Sequence, residues 1–397
     1  MPVSSAVRVA GPAAVLAAFL AAAVAVLVPA AGDSVLPDGA RSDAAPVIIA
    51  ALAVLSAAGL QRTGSRRTAW MLAAGAVVVL GSVRYLVPTG ISTDSLTVVG
   101  WVIAATTGVL LGAATAGSWG SATGQWALIA GGWAAFLTAA AVGSEAPVDE
   151  MRWTVPQWAI AFALVATVAA ALTVPAGMRV QRADPRLLAI VVTAAVALPV
   201  GYRLLGDFVG VRATGTGVLT WVIAGGALAV AVVGAELLAR VVPPGDDRFV
   251  LTVTGAVAAA YPVLVELWSG MQTSSLPWWV LLVAVGAVAA GVRLAPYTPY
   301  ALPGLVLAAA VSAATVWWPE EIGEGIPLAV RVALVALGTG LALGASLPGS
   351  ASVAALGMAL PVPATAVVGA VWMLPVDPQW PALALFTTAA ICAWQVR

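Results

Sequence analysis

The chain has 397 residues, no formal net charge at pH 7, and a composition of 62% hydrophobic and 9% charged residues. That balance excludes a water-soluble fold, because soluble domains carry far more charge. Histidine is absent and Cys392 is the single cysteine, which excludes His-ligated haem, histidine-based zinc sites, Ser-His-Asp triads and internal disulfides. We predict an all-α membrane protein with no cofactor and no nucleic-acid partner.

Fourteen apolar stretches are each long enough to cross a bilayer as a helix. They lie near 8–31, 44–60, 68–87, 96–118, 126–142, 156–178, 187–205, 217–240, 248–268, 277–295, 302–318, 327–346, 352–374 and 379–395. The connections are short, so residues 1–397 are predicted to form a single polytopic helix bundle. The first stretch ends in Val-Pro-Ala-Ala-Gly, which also fits a cleaved signal peptide, but its apolar length favours a true span.

Arginine alone supplies the basic side chains, and its distribution predicts the orientation. With the N-terminus inside, the inner segments hold Arg8, Arg62, Arg66, Arg67, Arg179, Arg182, Arg186, Arg240, Arg248, Arg293 and Arg397. The outer loops hold only Arg41, Arg152 and Arg212. This asymmetry predicts a multi-pass protein of the cell membrane with both termini in the cytoplasm.

Short sequence matches recur at nearly one spacing. Ala17-Ala-Phe-Leu returns at 134–137, Arg84 matches Arg203, and Trp101-Val-Ile-Ala matches 221–224, so the offsets run from 117 to 120. Pro-Gln-Trp occurs at 156–158 and again at 378–380. These matches predict parallel repeats of a four-helix unit, at 8–118, 126–240 and 248–346, with a half unit at 352–395. Chance similarity among Ala-rich helices is the alternative.

Three arginines fall within or beside predicted spans, where charge is costly and therefore indicates function. Arg84 and Arg203 occupy matching positions near the outer ends of the third and seventh spans, and Arg331 stands just inside the twelfth. Together they could hold the phosphate or carboxylate of an anionic lipid or a lipid-linked precursor. The alternative is that they reach the interface or pair with acids such as Asp94, Asp207 and Glu324.

The ninth span carries Tyr261, Pro262 and Glu266. We predict that Tyr261 and Glu266 belong to a binding site, in a helix that proline can bend. A wetted carboxylate at the membrane rim is the other interpretation of Glu266. Glu236 and Arg240 stand four residues apart and are predicted to form a local pair.

The inner loop Gln61-Arg-Thr-Gly-Ser-Arg-Arg67 resembles the loop signature of major facilitator transporters, Asp-Arg-x-Gly-Arg-Arg. Gln61 stands in place of the aspartate and Ser65 in place of an arginine, and the predicted four-helix period differs from that family's six-helix halves. The first outer loop, with Asp33, Asp38 and Asp43, resembles that of membrane glycosyltransferases acting on lipid-phosphate sugars. Those enzymes have a longer loop and a large outer domain, so neither resemblance assigns a family.

Three function classes remain open. The leading one is a transporter or flippase for an anionic or amphipathic component of the cell envelope. The second is a non-catalytic membrane partner of an envelope-assembly or secretion complex. The third, the enzyme class, would use outer carboxylates on a lipid-linked substrate. Arg84 and Arg203 facing one central cavity would favour the transporter, whereas tight apolar packing would favour the partner.

Overall fold

A computed structural model describes residues 11–32, 44–86, 93–143, 157–175, 184–213, 215, 217–273, 279–298, 300–317 and 326–397. Its helices are α1 (Pro12–Gly32), α2 (Ala45–Thr63), α3 (Arg66–Leu86), α4 (Thr93–Ser118), α5 (Ala122–Gly143), α6 (Gln157–Thr173), α7 (Pro185–Arg212), α8 (Val218–Val241), α9 (Arg248–Thr273), α10 (Trp279–Leu294), α11 (Leu302–Trp317), α12 (Ile326–Ala345), α13 (Ala351–Ala359), α14 (Pro361–Trp372) and α15 (Gln379–Gln395).

The all-α prediction is confirmed, and each predicted apolar stretch coincides with a helix, the thirteenth being divided into α13 and α14. Within the described residues, nine segments are long and apolar enough to cross a membrane. They are Pro12–Pro29, Ala45–Arg62, Thr97–Ser118, Pro185–Arg212, Val218–Val241, Arg248–Leu267, Trp279–Tyr297, Pro327–Ala345 and Ala351–Trp372. The protein is therefore membrane-embedded and contacts lipid; that all fourteen stretches span the bilayer stays a prediction.

Local chemistry accounts for several helix ends. Hydrocarbon offers the backbone no hydrogen-bonding partner, so an apolar chain folds into helices that satisfy their own N–H and C=O groups. The Asp184 carboxylate caps α7 by accepting the N–H of Arg186 at 3.0 Å. Gly64 ends α2 with a φ of 74°, which glycine adopts without strain. Pro361 has no N–H to continue the ladder, and α14 begins there.

Helices α1 to α6 form one group, the N-terminal bundle. In it α4 packs against α1, α2 and α3, α1 packs against α5 and α6, and α3 packs against α6. The backbones of α4 and α2 approach most closely at two glycines. A Cβ on Gly108 would lie 2.6 Å from the Ile49 carbonyl oxygen, and one on Gly112 would lie 2.2 Å from that of Ala53. Only a glycine hydrogen fits at these positions.

Helices α9 to α15 form a second group, the C-terminal bundle, with the same packing scheme. Here α12 packs against α9, α10 and α11, α9 packs against α14 and α15, and α11 packs against α15. Glycines again bring two helices together, since a Cβ on Gly340 of α12 would lie 2.5 Å from the Val288 carbonyl oxygen of α10. The glycine pairs of α4 and α12 share the sequence Thr-Gly-x-x-Leu-Gly, at 107–112 and 339–344.

The packing agrees with the predicted four-helix repeat in two of the units and disagrees with it in the third. The helices of the units 8–118 and 248–346 pack in largely matching ways, but α9 also packs against α11, and α1 and α3 form no comparable pair among the described residues. In the unit 126–240, by contrast, α5 and α6 pack against α1, whereas α7 and α8 pack against each other and against the C-terminal bundle, and α7 also packs against α2. The four-helix repeat is not confirmed and stays a prediction. We call α7 and α8 the linker pair, because they join the two bundles in the chain.

The bundles meet along two seams. At the α13 seam, α13 packs against α2 and α4; at the α5 seam, α5 packs against α10 and α12. The two seams match each other: α13 packs against α2 and α4 of the N-terminal bundle as α5 packs against the corresponding α10 and α12 of the C-terminal bundle. The most enclosed segments belong to the C-terminal bundle, where 83% of Arg248–Leu267 and 72% of Ala351–Trp372 are buried, against 50% or less in the other seven spanning segments. The core therefore lies around α9 and α13.

Candidate functional site

An ion pair joins two helices of the C-terminal bundle within the apolar region. The Arg331 guanidinium on α12 donates a hydrogen bond from Nη1 to Oε2 of Glu266 on α9. The Arg331 side chain is 12% exposed and that of Glu266 is 33% exposed. Charges in such surroundings persist when they are paired, and each partner would be costly to leave alone.

The pair lies on two helices that take part in the contact between the bundles. Both α9 and α12 also pack against α5, the helix that the N-terminal bundle contributes to the α5 seam. Glu266 lies near the end of α9, and Arg331 lies near the start of α12. The pair therefore sits at the end of the bundle opposite the α8–α9 and α12–α13 turns.

Two of the five predicted site residues thus meet. The sequence did not indicate this contact, because Arg331 and Glu266 are 65 residues apart and the predicted acid for Arg331 was Glu324. Glu324 lies outside the described residues, and so does the side chain of Asp94.

Tyr261 lies just over one turn before Glu266 on α9 and faces α14. Its ring stands edge-on to Trp372, with centroids 6.3 Å apart. A Cβ on Gly369 would lie 2.6 Å from the Tyr261 hydroxyl oxygen. Helix α9 continues through Pro262, so the interruption that proline introduces near this site is at Pro361 instead. Tyr261 fixes α9 against α14 beside the ion pair.

Arg203 and Arg84 are placed differently from Arg331. Arg203 Nε lies 3.7 Å from Oδ2 of Asp207 one turn along α7, with side chains 36% and 64% exposed. The alternative prediction that Arg203 pairs with Asp207 is therefore confirmed. Arg84 belongs to α3, and its side chain lies outside the described residues. A shared site of Arg84 and Arg203 stays a prediction.

Two tryptophan indoles donate hydrogen bonds across the bundle interface. Trp133 Nε1 of α5 donates to the Thr339 hydroxyl of α12 at 2.6 Å, and both side chains are buried. Trp119, between α4 and α5, donates from Nε1 to the Gly349 carbonyl between α12 and α13 at 3.1 Å. Neither contact was predicted, because sequence periodicity treats buried tryptophan and threonine as packing residues.

Buried charges support the turn where Trp119 meets Gly349. Arg66 and Asp246 are each 8% exposed and are the only charged residues among the described ones that are so fully buried. An Arg66 Nη2 hydrogen bonds to the Trp119 carbonyl, and the Asp246 Oδ1 accepts the Ser350 N–H at 3.0 Å. We call this face of the protein the junction face. The sequence predicted neither contact.

Thr107 of α4 occupies the same place in the repeated Thr-Gly-x-x-Leu-Gly sequence as Thr339. Its side chain is fully buried, and its hydroxyl has no hydrogen-bonding partner among the described residues. The Thr339 hydroxyl, by contrast, accepts from Trp133 and donates to the Val335 carbonyl at 2.8 Å. The two equivalent threonines therefore differ in their hydrogen bonds: the Thr339 hydroxyl bonds to the other bundle, whereas the Thr107 hydroxyl has no described partner.

The predicted pair of Glu236 and Arg240 on α8 is confirmed, and Gln395 of α15 donates to the other Glu236 carboxylate oxygen at 2.8 Å. Arg240 is 71% exposed, so this pair differs from that of Arg331 in its exposed guanidinium and in lying within one helix. A shallow groove lies elsewhere, between α8 and the α14–α15 turn, with Trp221 and Trp380 as its aromatic walls and Asp377 at its edge.

The described side chains bring together no group of three acids or cysteines that could hold a metal ion. The chemistry on offer is instead a guanidinium paired with a carboxylate, on two helices that also pack against α5 of the other bundle. No protein-family model and no curated protein matches the chain.

Proposed function

We propose that the protein is a membrane carrier, or flippase, for an anionic or amphipathic component of the cell envelope. The observation that supports this best is the packing scheme common to α1–α6 and α9–α15. Two like bundles that stand the same way up are a common basis of carriers, which place their substrate between the halves and rock one half against the other.

Two sequence features support a six-span unit. Pro-Gln-Trp stands at the start of α6 and again at the start of α15, the last helix of each bundle. The loop Gln61–Arg67, which resembles the major facilitator signature, follows α2 and contributes Arg66 to the junction face. Under this proposal the fourteen spans are two groups of six and the linker pair, and the junction face is cytoplasmic because its turns carry the predicted inner arginines.

Arg331 is the proposed anion-binding group. An incoming phosphate or carboxylate would displace Glu266 from the guanidinium, so the internal acid holds the site in a paired state when substrate is absent. Glu266 is 33% exposed, so the protein does not fully enclose the pair. The Arg331 position near the start of α12 corresponds to the outer end of the path in the predicted orientation.

The test uses the purified protein in liposomes that contain phosphatidylglycerol labelled with a nitrobenzoxadiazole group on one acyl chain. Dithionite added outside bleaches only the outer leaflet, so transbilayer movement appears as bleaching of the remaining pool. We expect the wild-type protein to expose the inner pool and Arg331→Gln to abolish that movement. Labelled phosphatidylcholine tests whether the negative headgroup is required.

Arg240→Gln is the matched control, because it also removes a guanidinium from a carboxylate but at an exposed helix face. Movement in Arg331→Gln equal to that of the wild type would remove Arg331 as the binding group. No movement of either labelled lipid by folded wild-type protein would reject the flippase proposal for these lipids.

The second candidate, a non-catalytic partner in an envelope-assembly or secretion complex, is favoured by the density of packing. Every residue of α13 from Ala351 to Ala359 is buried, and glycines bring backbones into contact within both bundles. A partner role predicts that Arg331→Gln restores the normal lipids and lipid-linked glycans of a strain lacking the gene. A carrier role predicts that it does not.

A further inference from the structure

The polar contacts between the bundles are distributed unevenly along the path. Trp133 lies near the middle of α5, and Thr339 lies less than two turns from the end of α12 that reaches the junction face. The contact of Trp119 with Gly349 lies at the junction face itself. Both described side-chain hydrogen bonds between the bundles therefore lie on the junction-face side of Arg331 and Glu266, one near the middle of the helices and one at the face itself.

The groups that form these bonds are held in place from both sides. Arg66 fixes the turn that carries Trp119, and Asp246 fixes the turn that carries Gly349. The Trp133 ring packs against Phe136, with centroids 5.1 Å apart. Thr339 stands between Gly338 and Gly340, which bring α12 into backbone contact with α11 and α10. Each donor thus belongs rigidly to one bundle and each acceptor to the other.

We propose that Trp133 and Trp119 are two latches on the interface between the bundles: the Trp133 latch limits how often the interface opens from the Arg331 end, and the Trp119 latch keeps the junction face closed. This inference rests on the proposed carrier function for its purpose, although the latches can be tested without any substrate. In an apolar interface a hydrogen bond restrains separation, because no water replaces the lost partner during opening.

Two positions report on the two ends of the interface between the bundles, Val332 within α12 and Ser346 directly after its last residue. Val332 and Ser346 lie seven residues before and after Thr339, so all three share one face of the helix. Both side chains are buried. In a Cys392→Ala background, Val332→Cys and Ser346→Cys each provide one thiol, whose modification by a polyethylene-glycol maleimide in nanodiscs measures how often that end opens.

Removing the central latch should act on the Val332 probe. Thr339→Val keeps the shape of the side chain and deletes the acceptor. We expect it to raise the modification rate at 332 about three- to tenfold, which is the change that losing one buried hydrogen bond would cause. Trp133→Phe should do the same, and the double variant should add little, since both changes break one bond. The rate at 346 should change less than about twofold.

Removing the junction latch should act on the other probe. Trp119→Phe is expected to raise the rate at 346 and to leave 332 nearly unchanged. Thr254→Val is the matched control: it deletes a buried hydroxyl that contacts Tyr202 at 3.1 Å between α7 and α9 and not across either seam, so neither probe should respond.

Unchanged rates at 332 in both Thr339→Val and Trp133→Phe would overturn the proposal. Equal increases at 332 and 346, accompanied by a lower melting temperature, would also overturn it, because they would mark general loosening. The carrier proposal fails separately: if Thr339→Val opens the 332 position while no lipid moves in liposomes, the latch stands and the assigned transport activity does not.

Discussion

The two seams between the bundles have corresponding helices but different polar contacts. At the α5 seam, Trp133 donates to Thr339 of α12. In α4, which packs against α13, the corresponding Thr107 is buried without a partner among the described residues. Backbone packing is therefore similar in the two bundles because glycines determine it, whereas the polar contacts differ between them.

The ion pair shows the same asymmetry. Helix α9 carries Glu266, but α1, which holds the corresponding place in the N-terminal bundle, contains no charged residue between Pro12 and Gly32. Helical packing alone therefore does not require Arg331 and Glu266. A repeated scaffold with chemistry in one half is what a binding role predicts.

The largest expected effect tests whether the bundles are built alike. Gly112→Val and Gly340→Val should each destabilise the protein by roughly 3 kcal/mol, because the new Cβ would overlap backbone atoms of α2 or α10. Gly225→Val on α8 is the control, since no atom lies within 4 Å of its Cβ position. Unfolding by SDS in mixed micelles measures this, and a response in only one bundle would break the comparison.

The ion pair should give the next largest effect. We expect Glu266→Gln and Arg331→Gln each to lower the free energy of unfolding by about 2 kcal/mol, because each removes the charged hydrogen bond between α9 and α12. The double variant should lose less than the sum of the two, since both changes remove the same contact. Additive losses in the same unfolding assay would show that the two side chains are not coupled.

Thr107 and Thr339 form a matched pair. Thr339→Val should destabilise by about 1 kcal/mol, because the indole of Trp133 loses its acceptor, whereas Thr107→Val should be neutral or slightly stabilising. Differential scanning fluorimetry of both variants is sufficient. Equal destabilisation would mean that the Thr107 hydroxyl also has a partner, and the difference between the seams would disappear.

The smallest effect is expected at Arg203. Arg203→Gln removes a contact between half-exposed side chains one turn apart, which is worth about 0.5 kcal/mol or less. Its melting temperature should stay within error of the wild type, and lipid movement should be retained if Arg331 is the binding group. Loss of movement would return Arg203 to the site.

The sequence predicted those features that depend on composition and local spacing. Apolar length located the helices, and one-turn spacing identified the pairs at Glu236 and Arg203. Contacts between distant helices were not accessible in this way. Nothing in the local pattern distinguishes Thr339, which accepts from Trp133, from Thr107, and nothing joins Arg331 to Glu266 across two intervening helices. The glycine sequence recurs at 107–112 and 339–344, and both copies bring helix backbones into contact.

The linker pair has a consequence for how the chain enters the membrane. Each span carries the polypeptide to the other side of the membrane. Two added spans therefore leave the orientation of all later helices unchanged, whereas one added span would reverse it. Helix α7 packs closely against α14 at Gly206, whose Cβ position lies 2.6 Å from the Ala366 carbonyl oxygen. Parity thus allows α7 and α8 to be added between two bundles without changing which way up either of them stands.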